Sequence, residues 1–228
     1  MTSKPALLVI DIQHDFLPGG CLAVADGDKI IPGVLDLLDC NKYHWSTIVY
    51  SQDWHPKDHT SFASNHADTK PFEQIEMTST KDPSVKSLET VWPDHCIQHT
   101  SGANFPQSLI DKFKEIPVPK TIVQKGQLQD RDYYSAFNDI WEDDFTELGP
   151  FLKEKGVTDV FVVGLAYDYC VKFSSESAAK LGFKTYVVKP LSKAIAADKI
   201  GEIDEYFKKS GVTIIEDLND PALEAVKA

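Results

Sequence analysis

The chain has 228 residues, of which 42% are hydrophobic and 25% charged, the proportions of an ordinary soluble globular protein with a substantial core. Lys plus Arg number 23 against 35 Asp plus Glu, a net charge of -12, and no basic run interrupts it, so neither nucleic acid nor an anionic membrane is an expected partner. No apolar stretch reaches transmembrane length, the opening run is too short for a signal peptide, and the closing Glu-Ala-Val-Lys-Ala is no peroxisomal address.

One domain over 1–228 is expected. Ala6–Ile10 reads as the first strand and Ile30–Leu38 as the first helix. A second strand, Thr47–Tyr50, leads into the segment Ser51–Phe105, which is polar, weakly periodic and rich in His and Pro. A connection of that length is usually functional or disordered, and its histidines and tryptophans favour function. Next come a helix over Gln107–Phe113, a strand over Thr121–Val123, a helix over Phe145–Lys155 and a strand over Val160–Val163. A helix over Val171–Leu181, a strand over Thr185–Val188, a helix over Ile200–Ser210 and a strand over Thr213–Ile215 complete the pattern. Such alternation predicts an α/β fold, a six-stranded, mostly parallel sheet with helices on both faces in three Rossmann-like layers, with a long polar loop after the second strand. No Gly-x-Gly-x-x-Gly follows the first strand, so dinucleotide binding is unsupported. The cysteines at 21, 40, 96 and 170 form no Cys-x-x-Cys pair and are expected to be reduced, in the cytoplasm.

Open parallel sheets bind ligands outside the C-terminal ends of their strands. Asp11 follows the first strand, Asp53 and His55 the second, Lys125 the third and Cys170 the fourth. Each alone has an ordinary reading as a cap, a surface charge or a buried structural thiol; together they bring an acid, a metal-type pair, a base and a thiol to one edge. Cys170 stands where a strand broken at Gly164 hands over to a helix, so unpaired N–H groups and the helix dipole favour its thiolate and offer oxyanion donors. In extended chain, Asp53 and His55 point to one side and Trp54 to the other, while Pro56 stiffens the exit. A catalytic zinc takes three such protein ligands and keeps open positions. The third comes from His59, His66, His95 or His99; the rigid, aromatic setting Trp92-Pro93-Asp94-His95-Cys96 favours His95, whereas His59 and His66 lie in hydrophilic loop sequence where exposure is expected.

The segments Val9-Ile10-Asp11-Ile12-Gln13-His14-Asp15-Phe16, Asp53-Trp54-His55-Pro56, Trp92-Pro93-Asp94-His95-Cys96, Lys125-Gly126, Asp130-Arg131-Asp132-Tyr133-Tyr134-Ser135-Ala136-Phe137 and Gly164-Leu165-Ala166-Tyr167-Asp168-Tyr169-Cys170-Val171 carry a resemblance. The chain resembles, nearly end to end, the cysteine hydrolases of the isochorismatase-like superfamily, and within it the eukaryotic, fungal-type nicotinamidases. Asp-Trp-His-Pro together with Trp-Pro-x-His-Cys is the most specific part of the match. The resemblance implies a triad of Asp11, Lys125 and Cys170, and Zn2+, or another divalent metal, on Asp53, His55 and His95. It implies Phe16, Trp92 and Tyr169 as walls around an aromatic ring. It further implies a cis peptide before Ala166, with the N–H groups of Ala166 and Cys170 turned toward an oxyanion. The activity implied is hydrolysis of nicotinamide to nicotinate and ammonia through a cysteine thioester, in NAD salvage, with pyrazinamide a further substrate. Cytoplasm or nucleus, and a homo-oligomer, are left open. Two positions depart from the pattern: His14 stands where Asn is usual, and Asp132, near the metal's outer shell, stands where fungal relatives tend to carry Glu. Another amidase of the superfamily and a catalytically inactive zinc-binding interaction protein are the rival readings. The metal set speaks against the first, and the intact acid, lysine and thiol against the second.

Overall fold

A computed structural model describes residues 3–228. The elements run β1 (Pro5–Ile10), α1 (Ile31–Leu37), β2 (Thr47–Asp53), β3 (Gln74–Thr78), β4 (Lys86–Thr90), α2 (Gln107–Glu115) and β5 (Lys120–Lys125). They continue with α3 (Leu148–Glu154), β6 (Asp159–Leu165), α4 (Cys170–Lys180), β7 (Lys184–Lys193), α5 (Ile200–Lys209), β8 (Thr213–Ile215) and α6 (Pro221–Glu224). Six strands form one sheet in the order β5-β2-β1-β6-β7-β8, every pairing parallel. The six-stranded parallel sheet expected from the alternating runs is therefore present.

A parallel strand in mid-sheet is covered on both faces and has to be apolar throughout. β1 meets that demand, with all six residues buried. Its side chains alternate between two cores: Leu7 and Val9 pack into one, Ala6, Leu8 and Ile10 into the other. From β1 the chain winds outward through β2 to β5, then crosses back and winds the other way through β6, β7 and β8. The direction reverses between β1 and β6, and a crevice opens at the C-terminal ends of such a pair. Asp11 leaves β1 and Cys170 begins the helix after β6, so both stand at that crevice.

Three expectations need correction. The long segment after the second strand is not irregular throughout: β2 runs on to Asp53, and β3 and β4 form an antiparallel hairpin. The helix expected over Phe145–Lys155 begins at Leu148, because Phe145 forms a bridge with Asn138 and is 61% exposed. The fifth expected strand is far longer, Lys184–Lys193, and carries Pro190 at a shift of register: Val162 pairs with Val187, but Gly164 pairs with Ser192. A proline is tolerated where the ladder is already interrupted. Among the described residues, no helix is long and apolar enough to cross a membrane.

Gly164 packs tightly against β1. Its φ is +121°, and a Cβ there would lie 2.1 Å from the carbonyl oxygen of Ile10 on the neighbouring strand. Both atoms belong to main chain, so the sheet itself would have to move. Gly164→Ala is expected to cost about 3 kcal/mol or more, measured as a fall in the urea midpoint at unchanged slope.

Candidate active site

Lys125 ends β5 with its ammonium 1% exposed, a location that needs counter-charges. Its Nζ lies 3.0 Å from Asp11 Oδ2, donates to Asp53 Oδ1 and to the Tyr133 carbonyl at 2.9 Å, and stands 3.5 Å from Cys170 Sγ. The register of the sheet makes the pairing inevitable, since Asp53 and Lys125 are cross-strand partners on β2 and β5. Burial works against the ammonium's charge, but Asp11, Asp53 and the thiol outweigh it and hold it well above the ordinary lysine range. Burial likewise opposes the Asp53 charge, and Lys125 and His55 outweigh it, holding that carboxyl well below its usual range. Asp11 is pushed up by burial, with Asp53 adding to the effect and Lys125 opposing it.

Cys170 begins α4 where the sequence places it, at a terminus whose dipole favours a thiolate, but burial works the other way. Burial pushes the thiol well above its ordinary value; Lys125 pulls it down, and the Asp11 and Asp53 charges push it up again. The helix terminus therefore cannot ionise the sulfur alone, and a base has to take its proton. A carboxylate oxygen of Asp11 lies within 4.8 Å of the sulfur. The Leu165–Ala166 peptide is cis, as the resemblance implies. Neither the Ala166 nor the Cys170 N–H donates to a backbone acceptor, which leaves both free for an oxyanion.

Asp53, His55 and His95 converge. Asp53 Oδ2 is 3.5 Å from His55 Nε2 and 3.8 Å from His95 Nε2, and all three side chains are buried. The other nitrogen of each imidazole is tied down: His55 Nδ1 donates to the Gly126 carbonyl at 3.0 Å and His95 Nδ1 to the Pro93 carbonyl at 2.7 Å. Those bonds select the tautomer whose Nε2 lone pair faces inward, the orientation a metal requires. The residues present thus fit a divalent ion of the N/O-preferring kind. Gly126 has φ +69°, and a Cβ on it would meet the His55 ring at 2.3 Å. Trp54 points away from the cluster and packs edge-on to His99.

The expectation of an exposed His59 is overturned. It is fully buried, its ring centroid 4.2 Å from that of His55. Both its nitrogens are occupied: Nε2 donates to the Arg131 carbonyl at 3.0 Å, and Nδ1 accepts from Ser61 Oγ at 2.7 Å. Burial and the neighbouring imidazoles hold it neutral. It acts as a wall of the cluster. His66 is half-buried and donates to the Thr60 carbonyl, remote from these ligands.

A pocket with about 370 Å³ of free space, its mouth included, joins the thiol to the imidazoles. Phe16, Trp92, Ala166 and Tyr169 line it as the resemblance implies, and so does Asp132. Leu22, Tyr133, Tyr134 and Ile195 complete it, and sequence reasoning missed all four as lining residues. Tyr134 had a signal, since it sits in the Asp-Arg-Asp-Tyr-Tyr motif; here its ring packs 5.4 Å from that of Tyr169. Trp92 meets Tyr169 edge-on at 4.8 Å, forming an aromatic corner.

Residues 5–199 match the isochorismatase domain. A nicotinamidase of Saccharomyces cerevisiae is 37% identical over 92% of this chain and 98% of its own length. The crystal structure of the yeast nicotinamidase bound to the inhibitor nicotinaldehyde superposes with a TM-score of 0.88 at 34% identity, covering 93% of this chain and 100% of that one. A pyrazinamidase of Pyrococcus horikoshii in complex with zinc gives a TM-score of 0.71 at 31% identity, over 94% of this chain and 99% of that one. The chain belongs to the isochorismatase family.

The resemblance places Lys125 in the triad, and its ammonium touches Asp53 of the metal-type cluster as well as Cys170. Replacing it by Met leaves two buried carboxylates without their cation. Lys125→Met is expected to destabilise chelator-treated protein by about 3–5 kcal/mol, read from urea denaturation.

Proposed function

We propose that this member of the isochorismatase family is a nicotinamidase, an amidohydrolase that converts nicotinamide to nicotinate and ammonia and so feeds NAD salvage. One observation carries the reading: a buried thiol with an acid and a lysine faces, across one aromatic-walled pocket, an Asp-His-His set whose Nε2 atoms point inward. The relatives named nicotinamidase, matched along almost their whole length, support the same substrate.

The geometry supports the following catalytic roles. Asp11 takes the proton of Cys170 as general base, and the Lys125 ammonium, 3.5 Å from the sulfur, supports the thiolate as it forms. The thiolate attacks the carboxamide carbon. The N–H groups of Ala166 and Cys170 donate to the oxyanion, each worth about 3 kcal/mol. Asp11 returns the proton to nitrogen, and ammonia leaves a thioester on Cys170. Water, deprotonated by Asp11, attacks the thioester carbon; nicotinate leaves the sulfur, and Asp11 returns the proton to Cys170. Phe16, Trp92 and Tyr169 hold the ring. Asp53, His55 and His95 would hold zinc or a similar divalent ion, which supplies a Lewis-acid anchor for a ring nitrogen meta to the carboxamide.

Steady-state ammonia release tests this. Nicotinamide and pyrazinamide should turn over well, and prior chelation should abolish the release until metal is restored. Benzamide, which has no ring nitrogen, should fall on the order of a hundredfold in kcat/KM, because the carboxamide drifts from the sulfur. Benzamide turning over as well as nicotinamide would remove the metal from substrate binding. His55→Ala and His95→Ala should each bring bound metal well below one per chain, whereas His59→Gln should keep it; the reverse pattern in elemental analysis would assign the third ligand to His59. Cys170→Ala should lose all turnover yet keep its metal and its thermal transition. An aldehyde analogue of nicotinamide should add mass to the Cys170 peptide of the wild type, and a label on Cys96 would refute Cys170 as nucleophile.

A further inference from the structure

The general base is itself held by a hydroxyl that has no part in the catalytic steps proposed for the triad. Asp11 leaves the sheet with φ +46°, beyond the last ladder position of β1. Ser51 on β2 reaches it there. Its Oγ donates to Asp11 Oδ1 at 2.6 Å and accepts from the Asp11 N–H at 3.2 Å. Ser51 is 1% exposed and sits on a strand whose seven residues are all buried. A polar side chain is costly in such a strand unless it is bonded, and both of these bonds go to one residue. In-register pairing places Ser51 opposite Val123 and one residue past the last β1 pair, Val9 with Tyr50, on the same side of β2 as Val49 and Asp53. An apolar residue would suit those neighbours.

The two carboxylate oxygens of Asp11 are thereby made different. Oδ1 accepts from the Ser51 hydroxyl. Oδ2 accepts no aligned hydrogen bond, although it is fully buried and has the Lys125 ammonium 3.0 Å away. That same ammonium touches the thiol. We propose that Ser51 is a positioning residue for Asp11, confining the transferred proton to Oδ2; the idea rests on the nicotinamidase reading. In the first step the Sγ–H bond breaks and an Oδ2–H bond forms. Ser51 keeps its own proton throughout, because Oδ1 remains an acceptor when Asp11 is protonated on Oδ2, as the carbonyl of an acid, a weaker one than half of a carboxylate. The proton is then held on the oxygen that faces the reacting groups and is delivered to the leaving nitrogen. Without the hydroxyl the carboxyl is free to rotate and take the proton on Oδ1, away from the substrate. A base oriented by a third group is the general form of an activated nucleophile.

The test compares wild type, Ser51→Ala and Ser51→Thr, all metal-loaded, in ammonia release from nicotinamide. Ser51→Ala should lose about tenfold to a hundredfold in kcat, with KM within about twofold of wild type and metal content unchanged. Ser51→Thr, which keeps the hydroxyl, should recover kcat to within about threefold. The proposal is overturned if Ser51→Ala keeps kcat within about twofold, if its loss tracks loss of metal from the neighbouring Asp53, or if folded, metal-loaded Ser51→Thr is as slow as Ser51→Ala. Alkylation of Cys170 by iodoacetamide, followed on its own peptide, reads the same proton transfer without substrate. It should slow in Ser51→Ala and return in Ser51→Thr, and equal rates in all three would overturn the proposal. Wild type that releases no ammonia would refute the nicotinamidase reading, and the alkylation comparison would still decide the role of Ser51.

Discussion

One buried ammonium organises this molecule. A lysine taken out of water has to be surrounded by groups that replace its hydration, or it will not stay charged. Lys125 finds them at the ends of two strands, in the loop after its own strand and at the start of one helix: the carboxylates of Asp11 and Asp53, the Tyr133 carbonyl and the Cys170 sulfur. Each of these would be unfavourable where it lies without the cation. The thiol and the metal-type cluster are for that reason one electrostatic unit, with Asp53 serving both. The same crowding of acids explains why the sulfur rests as a thiol although it stands at a helix terminus: burial and the two carboxylates outweigh the nearby cation.

The imidazoles obey a different rule. Their direction is set by main chain, through carbonyls at Gly126 and Pro93 that hold the outer nitrogens. Gly126 comes directly after Lys125, so the turn that ends β5 delivers both the ammonium and the acceptor that orients His55. Its positive φ and the absence of a Cβ let that carbonyl come close. His59 packs on the same ring, and its own nitrogens are spent on Arg131 and Ser61. Its imidazole fills space beside the ligands without competing for their place.

Much of this was legible in the residues. The strands were readable because parallel strands in mid-sheet are apolar along their whole length. Asp11, Lys125 and Cys170 were readable because the residues just past the C-terminal ends of parallel strands gather at one edge of the sheet. Asp53 and His55 were readable because alternation puts both on one side of an extended chain. The hairpin of β3 and β4 was not, since its strands are polar, bury one residue between them and carry little apolar periodicity. His59 read as a surface histidine because its immediate neighbours are hydrophilic, while the groups that bury it, His55, Phe62 and the Arg131 carbonyl, include one more than 70 positions away. Ser51 carried no signal, because a serine at the end of an apolar run looks like the start of a loop.

The sequence by itself determined the chain order of the strands of the parallel sheet and of the helices between them, the types of chemistry at the strand ends and, through its motifs, the family. Those depend on local periodicity and on residue identity, which a chain carries at every position. Tertiary structure alone decided which atoms meet: that Lys125 spans Asp11, Asp53 and Cys170, that two backbone carbonyls aim two imidazoles inward, and that one hydroxyl separates the two oxygens of Asp11. The physical reason is that ionisation, tautomer and proton position are set by burial and by partners a few ångströms away. Those partners come from segments far apart in the chain, and folding brings them together.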